Sequence, residues 1–331
     1  YVKLADDSVL IDYSSDRSYT SETSYLKVQI HDNNNTEDGL VTKISLKNES
    51  GETAPGSNLI LYTTKDMTEQ KAQEDAEFQR QIKDIKQLFE QAEKEQWNAL
   101  FSQYKTDERA GVQKLITQYE NKLLKYKKEQ ERLYRMLEFE RKYGDEFSCI
   151  CGIDEAGRGP FAGPVVAGAV ILPKGLTIEG LNDSKQVSAK KREELYDEIK
   201  EKAVSVGIGM SSPARIDEIN ILQATYEAMR HAVEDLEAVP DLLLNDAVTI
   251  PLIPIRQVGI VKGDARSLSI AAASIMAKVT RDRMMVEYAE LYPEYGFEKN
   301  KGYGSAEHRE ALKKYGPCPI HRSTFIHNWI S

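Results

Sequence analysis

The sequence predicts a mixed α/β domain over residues 148–331, preceded by a helical extension over 67–147 and a short β-rich segment over 1–66. Three observations carry that reading. The last part holds five short apolar runs with helical periodicity between most of them. At Met67 the composition turns abruptly to Glu, Gln, Lys, Ala and Leu with almost no Gly or Pro. Before Met67 it is rich in Ser, Thr, Asn and Asp, with brief alternating runs.

The alternating runs are Tyr25-Leu26-Lys27-Val28-Gln29-Ile30 and Leu40-Val41-Thr42-Lys43-Ile44-Ser45-Leu46, which read as β-strands. Two Asn-x-Ser/Thr matches, at Asn34 and Asn48, are short enough to arise by chance. No function is assigned to 1–66. The chain starts with Tyr1, so it reads as a fragment or processed form; Met67 reads as the natural start, with 1–66 foreign to the enzyme-like remainder.

From Met67, apolar residues at Ile82, Ile85, Phe89 and Ala92, then Leu100, Phe101 and Tyr104, fall at helical spacing. Thr106-Asp107 can cap a second helix carrying Val112, Leu115, Ile116, Tyr119, Leu123, Leu133 and Leu137, ending near Gly144. Two amphipathic helices, packed as a hairpin or coiled coil against a neighbouring domain, are the simple reading. Lys122, Lys125, Lys127 and Lys128 then form a solvated face rather than a phosphate-binding one.

In 148–331 the expected strands are 149–154, 165–172, 204–210, 242–245 and 255–261. The expected helices are 189–202, capped by Ser188, then 220–237 and 268–290. The link 157–163 is too short for a crossover helix, so the first strands pair antiparallel and the sheet is mixed. The run Ala271-Ala272-Ala273 reads as a small-residue face that lets its helix approach the sheet.

The 331 residues are 40% hydrophobic, enough for a core and unlike a disordered chain. The net charge of −9 argues against a generally basic nucleic-acid coat but not against locally concentrated positive charge. Three cysteines, Cys149, Cys151 and Cys318, without CxxC spacing suggest neither a disulfide framework nor a zinc site, and fit a reducing, cytoplasmic setting. No apolar run of about 18 residues suggests a membrane span.

The first strand of this domain leads into Gly152-Ile153-Asp154-Glu155-Ala156-Gly157-Arg158-Gly159-Pro160. Adjacent acids within a strand point to opposite faces, so Asp154 and Glu155 share a site only if the strand ends there, as Gly157 and Gly159 suggest. Asp246 follows the run Leu242-Leu243-Leu244-Asn245, and Asp264 follows Ile260-Val261-Lys262-Gly263. Acids at the ends of three strands can cluster, and clustered carboxylates need a neutralising cation. All-oxygen donors with no Cys or His beside them favour Mg²⁺ or Mn²⁺. Two such ions can activate a water and stabilise the leaving oxygen of a phosphodiester. Asp282 reads as an ion-pair partner, and His308, His321 and His327 lack zinc spacing.

These motifs, with Asn-Asp-Ser-Lys at 182–185, Lys-Gly-Asp at 262–264, Ser-Ile-Ala-Ala-Ala-Ser-Ile-Met-Ala-Lys-Val-Thr-Arg-Asp at 269–282 and Gly-Tyr-Gly-Ser at 302–305, resemble bacterial ribonuclease HII over essentially all of 148–331. Residues 107–113 are similar to the N-terminal extension that some members carry. The resemblance implies an RNase H-like mixed sheet flanked by helices. It also implies Asp154, Glu155, Asp246 and Asp264 as the catalytic and metal-binding acids. By the same resemblance Gly157, Arg158 and Gly159 sense the ribose 2′-hydroxyl, Tyr303 stacks on the sugar at the RNA–DNA junction, and Lys185 contacts phosphate. The partners implied are RNA–DNA hybrid and ribonucleotide-containing duplex DNA. The chain departs from the family where Asp-Gly is usual and Asp246-Ala247 stands. Alternatives are a ribonuclease HIII-like hybrid nuclease, against which Gly157-Arg158-Gly159 speaks, and a non-catalytic hybrid-binding module.

Overall fold

The computed structural model describes residues 64–329 and, before them, the strands β1 (Val2–Ala5), β2 (Ser8–Ile11), β3 (Lys27–Gln29), β4 (Val41–Lys47) and β5 (Thr53–Tyr62). Asn34 and Asn48 lie outside the described residues. The chain divides into two compact units, Tyr1–Asn121 and Lys122–Ser331. In the first, β1 pairs with β2 and β4 lies between β3 and β5, all antiparallel. The two alternating runs singled out in the sequence supply β3 and β4.

Helix α1 (Thr64–Gln91) runs through Met67 without a break. Instead of two helices, the extension forms α1, α2 (Trp97–Tyr104), α3 (Ala110–Met136) and α4 (Glu138–Tyr143). The break after α1 is a tertiary effect. The Trp97 indole Nε1 donates to the carbonyls of Phe89 and Ala92, both at 3.2 Å, satisfying the end of α1 with a side chain from the next helix. Trp97 also stands edge-on to Tyr119, with ring centroids 4.9 Å apart, and Tyr119 packs on buried Phe89 at 4.7 Å.

The five apolar runs of the second unit become β6 (Ile150–Ala156), β7 (Val165–Ile171), β8 (Ser205–Ser211), β9 (Leu242–Asp246) and β10 (Arg256–Ile260). They form one sheet in the order β10-β9-β6-β7-β8. The β6–β7 and β7–β8 pairs are antiparallel, whereas β6–β9 and β9–β10 are parallel. The mixed sheet expected from the short 157–163 link is thus present. Helices α5 (Ala189–Lys202), α6 (Pro213–Ile219), α7 (Ile221–Glu234), α8 (Leu268–Leu291), α9 (Phe297–Asn300), α10 (Ala306–Tyr315) and α11 (Ser323–Ile326) complete the unit. Ser188 caps α5, accepting from Lys191 N at 3.3 Å. Helix α6 was not anticipated, because its seven residues are too few to show a period.

The sheet is covered on both faces. Cys151, Ile153, Val165, Ala167 and Ala169 pack against Ala224, Ala228 and Ala232 of α7. On the other face Val170 packs with α5 and with Ala271, Ala272, Ala273 and Ile275 of α8. Two glycines set how close α8 comes. A β-carbon at Gly152 would stand 2.0 Å from the carbonyl carbon of Ser269, and one at Gly168 would stand 2.5 Å from the Ala273 oxygen. The Ala-rich stretch of α8 is therefore its sheet-facing side, as its composition suggested.

Candidate active site

Strand β6 continues through Ala156, past the point where the sequence suggested an end at Asp154. Asp154 therefore follows the alternation of the strand, whereas Glu155, one residue from its end, still interacts with Asp246 and Lys185. Gly152 and Asp154 face α8, while Cys151 and Ile153 face α7. Asp154 is 4% exposed, is hydrogen-bonded to Ser274 of α8, and accepts from Glu155 N at 2.8 Å. On β9, Leu242 and Leu244 pack with Ile270 of α8, so Asp246 falls on the same face. The parallel register Ile153↔Asn245 sets Asp246 beside Asp154. Asp264, 7% exposed, lies in the 3₁₀ turn Gly263–Ala265 that joins β10 to α8. Gly263 N donates to Asp246 Oδ1 at 2.7 Å and locks that turn to the end of β9. These three acids thus lie near one another at the carboxyl ends of parallel strands, where open α/β sheets bind ligands.

Burial, the charge of Glu155 and that of Asp246 push the Asp154 carboxyl well above the usual carboxylate range, against the Ser274 hydrogen bond. Glu155 is raised by burial and by Asp246, opposed by Arg158, whose Nη1 lies 3.1 Å from its Oε1. Asp264 is raised by burial and by Asp183 and Asp246, opposed by Lys185. For Lys185 burial acts downward, but Asp183, Asp154, Asp264 and Asp246 together raise it, and its Nζ stands 4.0 Å from Asp264 Oδ2. Lys185 and the four acids thus fall in one electrostatic neighbourhood, to which Asp183 of the Asn-Asp-Ser-Lys motif adds an acid that was not among the expected ligands. Among the described residues, however, no three His, Cys, Asp or Glu side chains converge closely enough to hold a metal. Each acid is instead turned to a nearby donor: Ser274, Arg158, Gly263 N or Ala265 N.

Beyond β6, Gly157 has φ +92 and is buried, whereas Arg158 and Gly159 are exposed. A β-carbon on Gly157 would overlap Arg281 Nε at 2.1 Å, so glycine is required by both its backbone and its surroundings. A β-carbon on Gly159 would lie 3.9 Å from Tyr303 Cε1, which makes that ring the neighbour of the loop. Tyr303 is half exposed. The Asp246-Ala247 departure has a structural consequence: Ala247 sits at φ +56, a left-handed conformation that costs an L residue about 1 kcal/mol. Ala247→Gly is expected to raise stability by about 1 kcal/mol, measured by denaturant unfolding.

A family profile described as Ribonuclease HII matches residues 151–328, and one described as Ribonuclease HII N-terminal domain matches 81–144. The chain belongs to the ribonuclease HII family. It is 64% identical over 228 residues to the ribonuclease HII of Lachnoclostridium phytofermentans, covering 69% of this chain and 89% of that one. It is 51% identical over 245 residues to the ribonuclease HII of Bacillus subtilis, covering 74% and 95%. The solved ribonuclease H2 of Pyrococcus horikoshii aligns over 55% of this chain and 97% of its own, with 30% identity and a TM-score of 0.47. This ribonuclease HII chain is a ribonuclease H enzyme with a mixed sheet flanked by helices.

Two further features of this unit were not legible in the sequence, and one sequence reading holds. Glu140 of α4 accepts from Ser267 Oγ at 2.6 Å and Ser269 N at 2.9 Å, placing a carboxylate at the start of α8 just beyond Asp264. Asp282, read as an ion-pair partner, is one, with Lys278 Nζ at 2.7 Å. The histidines are braces rather than ligands. Cys318 N donates to His321 Nδ1 at 2.9 Å, which leaves His321 Nε2–H to donate to His308 Nε2 at 2.9 Å, and His308 Nδ1–H to donate to the Tyr303 carbonyl at 2.9 Å. The signal was the spacing of these residues around Tyr303, which only folding reveals.

Burial and the neighbouring His308 lower His321 to about 4. His308 is lowered by burial too, and Cys318, raised by burial, and Tyr295 also face the pair. Because the folded value lies below the ordinary 6.5, the unfolded chain takes the proton first. Stability is full above about pH 6.5 and falls as the pH descends toward about 4, by about 3 kcal/mol from His321. His321→Gln is expected to flatten that part of the stability–pH curve, followed by thermal unfolding across the range.

Proposed function

We propose that this chain hydrolyses the RNA strand of RNA–DNA hybrids and nicks 5′ to ribonucleotides embedded in duplex DNA, leaving 3′-hydroxyl and 5′-phosphate ends. The observation that carries this reading is the adjacency, at one end of the sheet, of Asp154, Asp246 and Asp264. The exposed loop beside Tyr303 supplies the recognition element. A 2′-hydroxyl is the local mark that separates RNA from DNA, and a loop that offers backbone donors can read it whatever the base.

The donor set fits a hard divalent cation: carboxylate oxygens, buried and mutually repelling, with no thiolate or imidazole among them. Asp154, Glu155, Asp246 and Asp264 would hold Mg²⁺ or Mn²⁺, in a two-ion arrangement. The chemistry such ions supply when bound is activation of a water and stabilisation of the leaving oxygen. The chain's own residues do the rest. Lys185, exposed beside Asp264, meets a phosphate; Tyr303 stacks on the sugar at the RNA–DNA junction; Gly157, Arg158 and Gly159 contact the ribonucleotide. Arg158 also offsets the Glu155 charge. The three free cysteines support a reducing, cytoplasmic setting, and among the described residues no helix is long and apolar enough to cross a membrane.

The test is cleavage of a labelled DNA duplex carrying one ribonucleotide, with Mg²⁺, Mn²⁺ or chelator. A metal-dependent nick 5′ to the ribonucleotide supports the reading. Cutting of long hybrid alone moves the assignment to a ribonuclease HIII-like enzyme, and binding without cutting moves it to a hybrid-binding module.

A further inference from the structure

Arg322 is fully buried, and among the described residues it has no carboxylate partner. Its guanidinium is satisfied by backbone carbonyls alone. Nη2 donates to Gly157 O at 2.6 Å and to Gly163 O at 2.8 Å, Nη1 to Arg158 O at 2.9 Å, and Nε to Gly163 O at 3.0 Å. Arg281, 1% exposed, does the same for the flanking backbone, donating to Pro164 O at 3.0 Å, Ala162 O at 2.9 Å and Lys301 O at 2.9 Å. A buried cation without an anion is costly, and apolar residues of the same volume would pack the site more cheaply. The charge is therefore retained for what it does to those carbonyls.

In a trans peptide the C=O of one residue and the N–H of the next point in opposite directions. With the carbonyls of Gly157 and Arg158 drawn inward onto Arg322, the N–H groups of Arg158 and Gly159 are turned away from it. Neither N–H donates to an acceptor among the described residues, and both residues are exposed beside Tyr303. The neighbouring loop is tied to the same frame: Phe161 N donates to Gly302 O at 2.8 Å, and Arg322 N donates to Phe161 O at 2.8 Å.

We infer that Arg322 is a positioning residue for ribonucleotide recognition, fixing the Gly157–Gly159 loop so that two backbone N–H groups face the 2′-hydroxyl side of the substrate. This rests on the functional reading above. A lysine, with one donor head, cannot bridge three carbonyls in a fixed fork as arginine does.

The experiment compares the Asp264→Asn chain, expected to bind without cutting, with the same chain carrying Arg322→Lys. The readout is the ratio of affinities for a duplex with one ribonucleotide and its all-deoxy twin. Arg322→Lys is expected to lower that ratio about tenfold, the worth of roughly one hydrogen bond. A role in folding alone would reduce the active fraction for both duplexes and leave the ratio unchanged; an unchanged ratio overturns the inference. No preference even with Arg322 present overturns the functional reading and the inference with it. If Arg322→Lys does not fold, NMR of the Asp264→Asn chain decides. Arg158 and Gly159 amide signals that move only with the ribonucleotide duplex, while the Arg322 guanidinium protons stay protected from exchange, support the inference. Unprotected guanidinium protons in that complex overturn it.

Discussion

Asp264→Asn is expected to lower the nicking rate at the embedded ribonucleotide by at least about 10²–10³-fold, the scale of removing one group that stabilises developing charge. Asp154→Asn is expected to do the same with an opposite effect on the fold. Asp154 is nearly fully buried beside Asp246 and Glu155, so its charge is a liability in the resting structure. Asparagine keeps the shape and can still accept from Ser274 while removing the repulsion. In chelator, the Asp154→Asn chain should therefore unfold at a higher temperature, by a few degrees for a gain of about 1 kcal/mol in a unit of this size. Rate and melting temperature measured on the same preparation check both halves. An active Asp264→Asn chain would remove that residue from the site, and a lower melting temperature for Asp154→Asn would show that the carboxylate is compensated in solution.

Gly152→Ala is the second change with a large expected effect. The added methyl would stand 2.0 Å from the Ser269 carbonyl carbon and 2.3 Å from Ile270 N, which are backbone atoms in the first turn of α8 and cannot rotate aside. Overpacking of this kind costs about 3 kcal/mol, because the helix must lift from the sheet. The cost extends to function, since α8 carries Ser274 to Asp154 and begins just after Asp264. Gly175→Ala is the control. Gly175, unlike Gly152, has positive φ, +78, and nothing lies within 4 Å of the added carbon, so only about 1 kcal/mol of backbone strain is expected. Denaturant midpoints of the two variants separate close approach from backbone conformation. Equal losses would show that α8 yields readily at Gly152.

The sequence by itself determined the elements with strong local signatures. These are the five apolar runs, the capped α5, the long α8 with its small-residue face, and the antiparallel start of the sheet, forced by a link too short for a crossover. It also placed Asp246 at the end of β9 and Asp264 after β10, because a polar residue after an apolar run is visible without a fold. The division of the extension into four helices was not visible, since the break after α1 depends on a Trp97 hydrogen bond to carbonyls in the preceding turn. Nor was the extent of β6, because glycines at 157 and 159 mark the loop but not the last paired residue, which is set by the register with β7. Only the tertiary structure decided that Asp154 and Asp246 share a face, through parallel pairing of strands about ninety residues apart. It alone gave meaning to Arg281, His308, His321 and Arg322. Their hydrogen bonds reach backbone or partners distant in sequence, and a carbonyl acceptor leaves no trace in the identity of the residue that offers it.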